Sequence, residues 1–332
     1  MATSRYRINL PALPESWNRL SSAELEEVNR LYLQRVQTSG PDSEITAGRL
    51  YKLKCFMFFL GLKIIRRTVK DENGETVFLF RRKGIRHLFE RIPLRSWQID
   101  QWIGQKLGFL DNLFGRTVTP YGIIRLRMGT LRLKAPQDAM TDVTFAQYLS
   151  AQNLLIVYWD TEKVLQTLIR RKSSRAAIRF QKKRMKQVRC KFLACLFNRS
   201  ELETGEIREG RYMRKNRRRV WSFRRSQITE NARWFGRVEK RMFPVMVQYF
   251  QSVQEYYGRM YPDLFYSGGK KGGKQNPVKI EVEMLNNIMK YQGFSDYDSV
   301  YDSEAVRILG IMNAMAKEAK EIEKMNQRYS KK

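Results

Sequence analysis

Two helices are predicted for residues 144–197, which read TFAQYLSAQNLLIVYWDTEKVLQTLIRRKSSRAAIRFQKKRMKQVRCKFLACLF. Thr144 and Gln147 have the spacing of a capping box, in which both side chains bond to free backbone N–H groups at a helix start. We expect this first helix to break near Asp160-Thr161 and to resume into the basic residues that follow. A second helix is predicted for Ser173–Phe197, because its apolar residues recur at helical spacing and its basic residues occupy most of the remaining circumference. These apolar residues are Ile178, Met185, Val188, Phe192 and Cys195.

Most of the charge of the chain lies in residues 170–225, which contain 21 Lys and Arg, 4 Glu and no Asp. This segment therefore carries +17 of the net charge of +30 that the whole chain has. Unpaired like charges cannot be buried, so the segment must face water or something anionic. Its second part, Arg208–Arg225, has no clean period and interleaves nine Lys and Arg with Tyr212, Trp221 and Phe223.

This mixture of cations and aromatic rings is typical of a nucleic-acid interface, since cations neutralise phosphates and aromatic faces stack on unpaired bases. The alternative is a solvated or protein-facing surface, with the second part a loop whose aromatic residues pack locally. The candidate nucleic-acid or anion-binding residues are Arg175, Arg179, Lys182, Lys183, Lys186, Arg189, Arg211, Tyr212, Arg214, Lys215, Arg217, Arg218, Arg219, Trp221, Arg224 and Arg225.

The N-terminal part is predicted to combine helices with one or two β-hairpins. Helices are expected from Ser21 or Ser22 to about Gln37, at Leu50–Leu60 and at Ser96–Leu107. The clearest hairpin signal is the Asp-Glu-Asn-Gly turn at residues 71–74, because Asn-Gly supplies the positive φ angles that a tight turn needs between strands 64–69 and 76–80. A second hairpin is predicted within Tyr121–Lys134, closing at residues 129–130.

Beyond the basic segment, a helix is predicted for Ser226–Tyr257 and should be kinked or divided at Pro244. Residues 261–277, YPDLFYSGGKKGGKQNP, have the composition of a flexible linker. Helices Val278–Tyr291 and Ser303–Arg328 should follow, joined by an acidic turn. This C-terminal part is neutral, so we expect its partner to differ from that of the basic segment.

The last helix carries an apolar stripe of the adaptable, methionine-rich kind found at protein–protein contacts. The alternative is that the methionines pack on the neighbouring helix. The candidate protein-interaction residues are Val306, Leu309, Met312 and Met315.

Together these patterns predict an α+β protein that is predominantly α-helical, with a helical middle and a C-terminal helical pair. We expect an N-terminal α+β domain at residues 1–140, a helical domain at 141–260 with the basic segment 170–225, a flexible linker at 261–277 and the helical pair at 278–332.

The usual catalytic motifs are not found, and we expect no enzyme activity, no cofactor and no metal. The GGKKGGK run lacks the order of a phosphate-binding P-loop. Asp263, Glu281 and Glu283 resemble the acidic pairs of metal-dependent nucleases only faintly, since the expected lysine is missing, and that class is a distant alternative. The cysteines Cys55, Cys190 and Cys195 have neither zinc nor disulfide spacing and are expected to be reduced core residues.

No apolar run reaches membrane-spanning length, and the N-terminus MATSRYRINL lacks an apolar signal core, so we expect a cytoplasmic protein without a membrane partner. The single histidine, His87, is expected to be structural.

Three stretches carry a resemblance to a family: residues 13–33 (LPESWNRLSSAELEEVNRLYL), 144–168 (TFAQYLSAQNLLIVYWDTEKVLQTL) and 284–326 (MLNNIMKYQGFSDYDSVYDSEAVRILGIMNAMAKEAKEIEKMN). They resemble uncharacterised proteins of prophages and tailed phages that look like tail-module components.

The resemblance implies a non-enzymatic assembly chaperone or adaptor for a helical tail partner such as the tape-measure protein, acting in the host cytoplasm. Nucleic-acid binding by residues 170–225 is the alternative function.

Overall fold

A computed structural model describes residues 13–38, 44–70, 75–126, 131–202, 206–208, 211–213, 218–220, 223–265 and 277–330. The chain forms two compact units, Met1–Arg116 and Thr117–Lys332. The second unit is mostly helical, and short antiparallel sheets occur in both units. The expected α+β fold with predominant helix is confirmed. The two units divide the chain at a different place from the four segments expected from composition.

The first unit begins with two packed helices, α1 (Ser22–Thr38) and α2 (Glu44–Phe59). Leu25 and Val28 on α1 and Phe56 on α2 are buried, as the apolar spacing of α1 indicated. The start of α2 lies six residues before the predicted Leu50, and the helix ends just before Gly61, whose φ of +62° favours glycine.

The sheet of the first unit contains three antiparallel strands in the order β1–β2–β3. The predicted hairpin is confirmed as β1 (Leu62–Lys70) paired with β2 (Thr76–Arg82), and its Asn-Gly turn lies outside the described residues. The strand β3 (Ile92–Arg95) was not predicted, because it is only four residues long and contains a proline. The helix α3 (Ser96–Lys106) follows it and agrees with the prediction.

The second unit is built on an antiparallel pair of long helices, α4 (Phe145–Arg170) and α5 (Arg175–Leu196). The capping box of Thr144 and Gln147 is confirmed at the start of α4, and the Ser174 hydroxyl caps α5 by accepting from the Ala177 N–H at 3.3 Å. The predicted break of α4 near Asp160-Thr161 is wrong. Buried Thr161 donates its hydroxyl to the Val157 carbonyl one turn earlier, at 2.6 Å, which satisfies this polar group without interrupting the helix.

A four-stranded antiparallel sheet has the order β4–β5–β6–β9 and joins a hairpin to the basic segment. The hairpin consists of β4 (Ile123–Leu126) and β5 (Leu131–Lys134), as predicted, and residues 129–130 of its turn lie outside the described residues. The sequence indicated that the helical pattern ends at Asn198, and it left a loop as one alternative for Arg208–Arg225. Instead β6 (Asn198–Leu202) pairs with β5, and further along the chain β7 (Glu206–Arg208) pairs with β8 (Arg211–Met213) and β9 (Arg218–Val220) pairs with β6.

The prediction of a helix starting at Ser226 is wrong, since residues 225–238 form 3-10 turns and the short helix α6 (Ile228–Asn231). The long helix α7 (Glu239–Met260) begins later and continues through Pro244. The proline lies in the second turn, where its missing N–H leaves free only the carbonyl of Lys240, a residue that is exposed to water. The buried face of α7 packs on α5, for example Phe243 and Phe250 against Phe192.

The C-terminal helices are α9 (Pro277–Gln292) and α11 (Ala305–Tyr329), and they agree with the predicted helical pair. The short helix α10 (Tyr297–Asp302) occupies the expected acidic turn, with the Asp296 carboxylate accepting from the Ser299 N–H at 2.6 Å. The start of the expected linker forms another short helix, α8 (Pro262–Phe265), which packs on α11. Residues 266–276 of that linker lie outside the described residues.

Candidate nucleic-acid interface

The part of the α4–α5 pair farthest from the core is the candidate site, and residues 163–186 are named the hairpin tip. The helices lie side by side along their lengths, because Gln147 Nε2 donates to the Cys195 carbonyl at 2.9 Å and Gln181 Nε2 donates to the Thr161 carbonyl at 3.0 Å. Within the tip, which the structure describes throughout, the buried residues are Leu165, Gln181 and Met185. The two helices of the tip therefore bury little besides the contact between them.

The hairpin tip contains ten Lys and Arg and no Asp or Glu. All ten basic residues are exposed: Lys163, Arg170, Arg171, Lys172, Arg175, Arg179, Lys182, Lys183, Arg184 and Lys186. Lys163 Nζ lies 3.7 Å from Oδ1 of the exposed Asp160, one helical turn before the tip. With no carboxylate inside the tip, the cations together produce a positive potential that attracts anions.

Five of the predicted site residues, Arg175, Arg179, Lys182, Lys183 and Lys186, are in this exposed set. Four of them, at positions 175, 179, 182 and 186, follow one another at intervals of four, three and four residues and so share one side of α5. At a rise of about 1.5 Å per residue, this row of cations is about 16 Å long. An extended anionic polymer could contact several of them at once.

The other five basic residues of the tip were not among the predicted site residues. Lys163 and Arg170 come from α4, Arg171 and Lys172 from the connection, and Arg184 from α5 itself. Their proximity follows from the antiparallel pairing of the two helices.

Phe180 is a further residue that sequence reasoning passed over. Its side chain is 68% exposed, and the exposed residues Lys183 and Arg184, three and four positions later, are its neighbours on the helix surface. An aromatic ring on the polar side of an amphipathic pattern is the signal that could have found it. A ring so placed can stack on an unpaired base, while the neighbouring cations contact the backbone.

Arg189 does not belong to the exposed set. Its side chain is 18% exposed, and its Nη2 atom lies 3.4 Å from Oε1 of Glu239, a residue at the start of α7 that is 2% exposed. The prediction of Arg189 as an anion-binding residue is therefore corrected: it neutralises a buried carboxylate inside the unit. Sequence spacing could not distinguish it from Lys186, one helical turn away.

Arg225 is also engaged within the unit. Its Nη2 atom lies 3.0 Å from Oε1 of Glu281, and its guanidinium lies 4.3 Å from the centre of the Tyr301 ring. Burial raises the pKa of Glu281, but hydrogen bonds from the Tyr301 hydroxyl and from Arg225 outweigh it, and the pKa lies below its ordinary value of 4.5. The neighbouring Arg224 is exposed.

The remaining candidates of the basic segment are described only in part. Arg211 and Tyr212 lie in β8, and Arg218 and Arg219 lie in β9. Those predicted sites that lie outside the described residues are Arg214, Lys215, Arg217 and Trp221.

The methionine-rich stripe of α11 is turned toward its own unit. Leu309 is buried, Val306 is half-buried, and Met312 and Met315 pack against a buried cluster that includes Ile288. The alternative interpretation of these methionines, packing on neighbouring helices, describes their contacts.

The faint acidic set is divided among separate contacts. Asp263 pairs with Lys320 at 3.0 Å and Glu281 pairs with Arg225, while Glu283 is exposed. Over the described part of the chain, no three His, Cys, Asp or Glu side chains are grouped so that they could hold a metal ion.

The three cysteines are buried free thiols, as expected, and burial raises the pKa of both Cys55 and Cys195 to about 12. His87 Nδ1 lies 3.2 Å from the carboxylate of Glu90. None of the helices in the described ranges is long and apolar enough to cross a bilayer.

Compared with known proteins, the chain matches no family model, no curated protein and no solved structure. The function is therefore argued from the geometry of its own residues.

Proposed function

We propose that the protein binds nucleic acid through the hairpin tip. The observation that carries the proposal is the set of ten exposed Lys and Arg with no acidic residue among them, eight on the paired helices α4 and α5 and two in their connection. Nucleic acid is the anion with matching dimensions, because its phosphates repeat along a chain and can meet a row of cations about 16 Å long. Phe180 adds an exposed ring that favours single-stranded or unpaired regions.

Binding of this kind must depend steeply on salt. Each phosphate that a cation neutralises releases counterions and contributes about 0.9 to the slope of log affinity against log salt for duplex DNA, and about 0.7 for a single strand. Several simultaneous contacts along the tip should therefore be visible as a slope of several units, whereas a contact made mainly by apolar groups should change little with salt.

The test compares two variants with the same change of charge. In the first, Arg175, Arg179 and Lys186 are each replaced by Glu. In the control, the exposed residues Arg233, Arg237 and Lys240, which lie outside the tip, are replaced by Glu. Binding of labelled single-stranded and duplex nucleic acid is measured by fluorescence anisotropy across about 50 to 300 mM salt.

We expect the tip variant to lose affinity and to reduce the salt slope by about 2 to 3, since three contacts disappear, while the control keeps the slope of the natural chain. Equal losses in both variants would mean that net charge alone attracts the polymer, and the proposal would be abandoned. It would also fail if binding by the natural chain disappeared well below about 150 mM salt.

A second candidate is the tail-module adaptor role that the family resemblance implies. The observation that favours it is that Ile156 and Trp159, three residues apart on one face of α4, are both exposed in the second unit. A helix of a partner protein could cover such a surface, as amphipathic helices do in apolar grooves.

This second candidate is tested by co-expression with a tape-measure chain. We expect co-purification that resists salt and is lost when Ile156 and Trp159 are replaced by Ser, because the contact is apolar. Replacement of the exposed Thr167 by Ser on the same helix is the matched control. Failure of the natural chain to co-purify with the tape-measure chain or to raise its solubility would rule the role out.

A further inference from the structure

The loop between β2 and β3 in the first unit exposes large apolar side chains. Ile85 is 87% exposed, Leu88 is 48% exposed and Phe89 is 96% exposed. Residues 81–91, RRKGIRHLFER, which comprise the last two residues of β2 and the connection to β3, are named the β2–β3 loop. Single exposed apolar residues are common on protein surfaces, but three within five residues form a patch that normally has an occupant.

The β2–β3 loop is held in shape by its own contacts. At its base, Phe80 and Ile92 are register partners and both are buried. Within the loop, the His87 N–H donates to the Gly84 carbonyl at 3.2 Å and the Glu90 N–H donates to the His87 carbonyl at 3.2 Å. Gly84 has a φ of +122°, a conformation that favours glycine. The backbone therefore orders the loop while its largest apolar groups stay in water.

The charge of the loop is strongly positive. Residues 81–91 contain five Lys and Arg and one Glu, a net charge of +4. The single acid, Glu90, is turned inward: its side chain is 12% exposed and accepts from the Arg82 N–H at 3.4 Å, with His87 Nδ1 at 3.2 Å. Lys83, Arg86 and Arg91 are exposed around the apolar side chains.

We propose that the β2–β3 loop binds the surface of an anionic lipid bilayer. Ile85, Leu88 and Phe89 enter the boundary between headgroups and acyl chains, and the surrounding cations contact lipid phosphates. Apolar groups surrounded by Lys and Arg are typical of segments that bind anionic bilayers. The free energies of apolar burial and of attraction to anionic lipid add together.

Charge and side-chain chemistry favour this occupant over the others. A second copy of the loop would bring +4 against +4, which opposes self-association. Unpaired bases stack on a flat aromatic ring, which Phe89 has and the aliphatic Ile85 and Leu88 lack. Insertion into a bilayer is favourable for all three side chains, because each leaves water.

The proposal departs from the expectation of no membrane partner, which depended on the absence of a spanning segment. A surface contact needs none. It uses no residue of the hairpin tip, so it does not depend on the proposed nucleic-acid function.

The experiment measures sedimentation of the full chain with vesicles made of equal parts phosphatidylcholine and phosphatidylglycerol, and with vesicles of phosphatidylcholine alone. The test variant carries Ile85→Ser and Phe89→Ser, and the control carries Trp97→Ser, which removes an exposed ring from α3 in the same unit. All three replaced side chains are exposed, so thermal melting should show that each variant folds.

A separate measurement reports insertion directly. Because the native cysteines are buried, a thiol introduced by Leu88→Cys can be labelled selectively with an environment-sensitive fluorophore. A thiol introduced by Gln187→Cys, at an exposed position on α5, provides the matched label outside the loop.

We expect the natural chain and the Trp97 variant to bind the anionic vesicles and to keep part of that binding at high salt. The loop variant should bind about tenfold or more weakly, since two apolar side chains no longer leave water. The label at position 88 should shift to the blue, and the label at position 187 should not.

Binding that salt abolishes equally in all three proteins, with no blue shift at position 88, would show a purely electrostatic attraction and overturn the proposal. The proposal would also be overturned if the natural chain did not bind vesicles and the loop variant lost nucleic-acid binding. That result would assign the loop to nucleic acid.

Discussion

The substitution Arg189→Met tests whether Arg189 acts inside the second unit, unlike the exposed cations of the hairpin tip. The substitution keeps an unbranched apolar stem and removes the charge that lies 3.4 Å from the carboxylate of Glu239. Glu239 is 2% exposed, so a buried charge would lose its cation. Removing one partner of a buried ion pair costs about 3 to 5 kcal/mol, because the remaining charge is neither paired nor hydrated.

This cost translates into a large change in melting temperature. For a unit of this size, about 1 kcal/mol corresponds to about 2 to 4 °C, so the Tm of the second unit should fall by about 6 to 20 °C. Circular dichroism during heating is the assay. Arg179→Met, at an exposed position ten residues earlier on α5, is the matched control and should stay within about 0.5 kcal/mol of the natural chain.

The nucleic-acid titration should give the opposite order. Arg179→Met is expected to lower the salt slope by about 0.7 to 0.9, and Arg189→Met should leave it unchanged at temperatures where the unit is folded. A double variant that also carries Glu239→Gln should lose less stability than the sum of the single changes, because no charge is left buried. If Arg189→Met kept its Tm and lowered the salt slope, the assignment of Arg189 to the interior would be refuted.

Three further predictions concern other parts of the chain. With pKa values near 12, Cys55 and Cys195 should react with a thiol reagent at pH 8 only after denaturation; fast reaction of either in the native protein would contradict their burial. Gly84→Ala should destabilise the first unit by about 1 to 3 kcal/mol, because residue 84 has a positive φ. Gly104→Ala should stabilise the unit by about 0.5 to 1 kcal/mol, because residue 104 lies in α3 with open space where the new Cβ would be. Equal melting temperatures of the two variants would refute the contrast. The lowered pKa of Glu281 means that its interactions stabilise the protein above pH 4.5 and are lost as pH falls through the folded-state pKa. Glu281→Gln should therefore lower the Tm at pH 7 and match the Tm of the natural chain in acid. A Tm difference that grew on acidification would contradict the direction of this pKa shift.

The features that could be predicted from the sequence are those encoded within a single helix or hairpin. The capping box at Thr144 and Gln147, the amphipathic pattern of α5 and the hairpin around the Asn-Gly turn all correspond to observed elements. Each of these three features depends on local backbone geometry or on the period of a single element. None of them needs knowledge of a distant partner.

The features that could not be predicted depend on contacts between distant residues. The strand β6 exists because β5 offers it an edge, and its own sequence, NRSEL, has no strand period. Thr161 continues α4 because its hydroxyl bonds to the preceding turn while Gln181 of α5 covers its carbonyl. In the sequence the same residue resembles a helix break.

For the candidate site, the sequence by itself determined that residues 170–225 must be exposed in large part, since so many like charges cannot be desolvated together. Only the tertiary structure decided which cations are external. Lys186 and Arg189 lie one turn apart on α5, yet Lys186 is exposed and Arg189 lies against a carboxylate fifty residues later in the chain. The cost of leaving that buried carboxylate unpaired selects the conformation of Arg189, and no periodicity within α5 encodes the position of its partner.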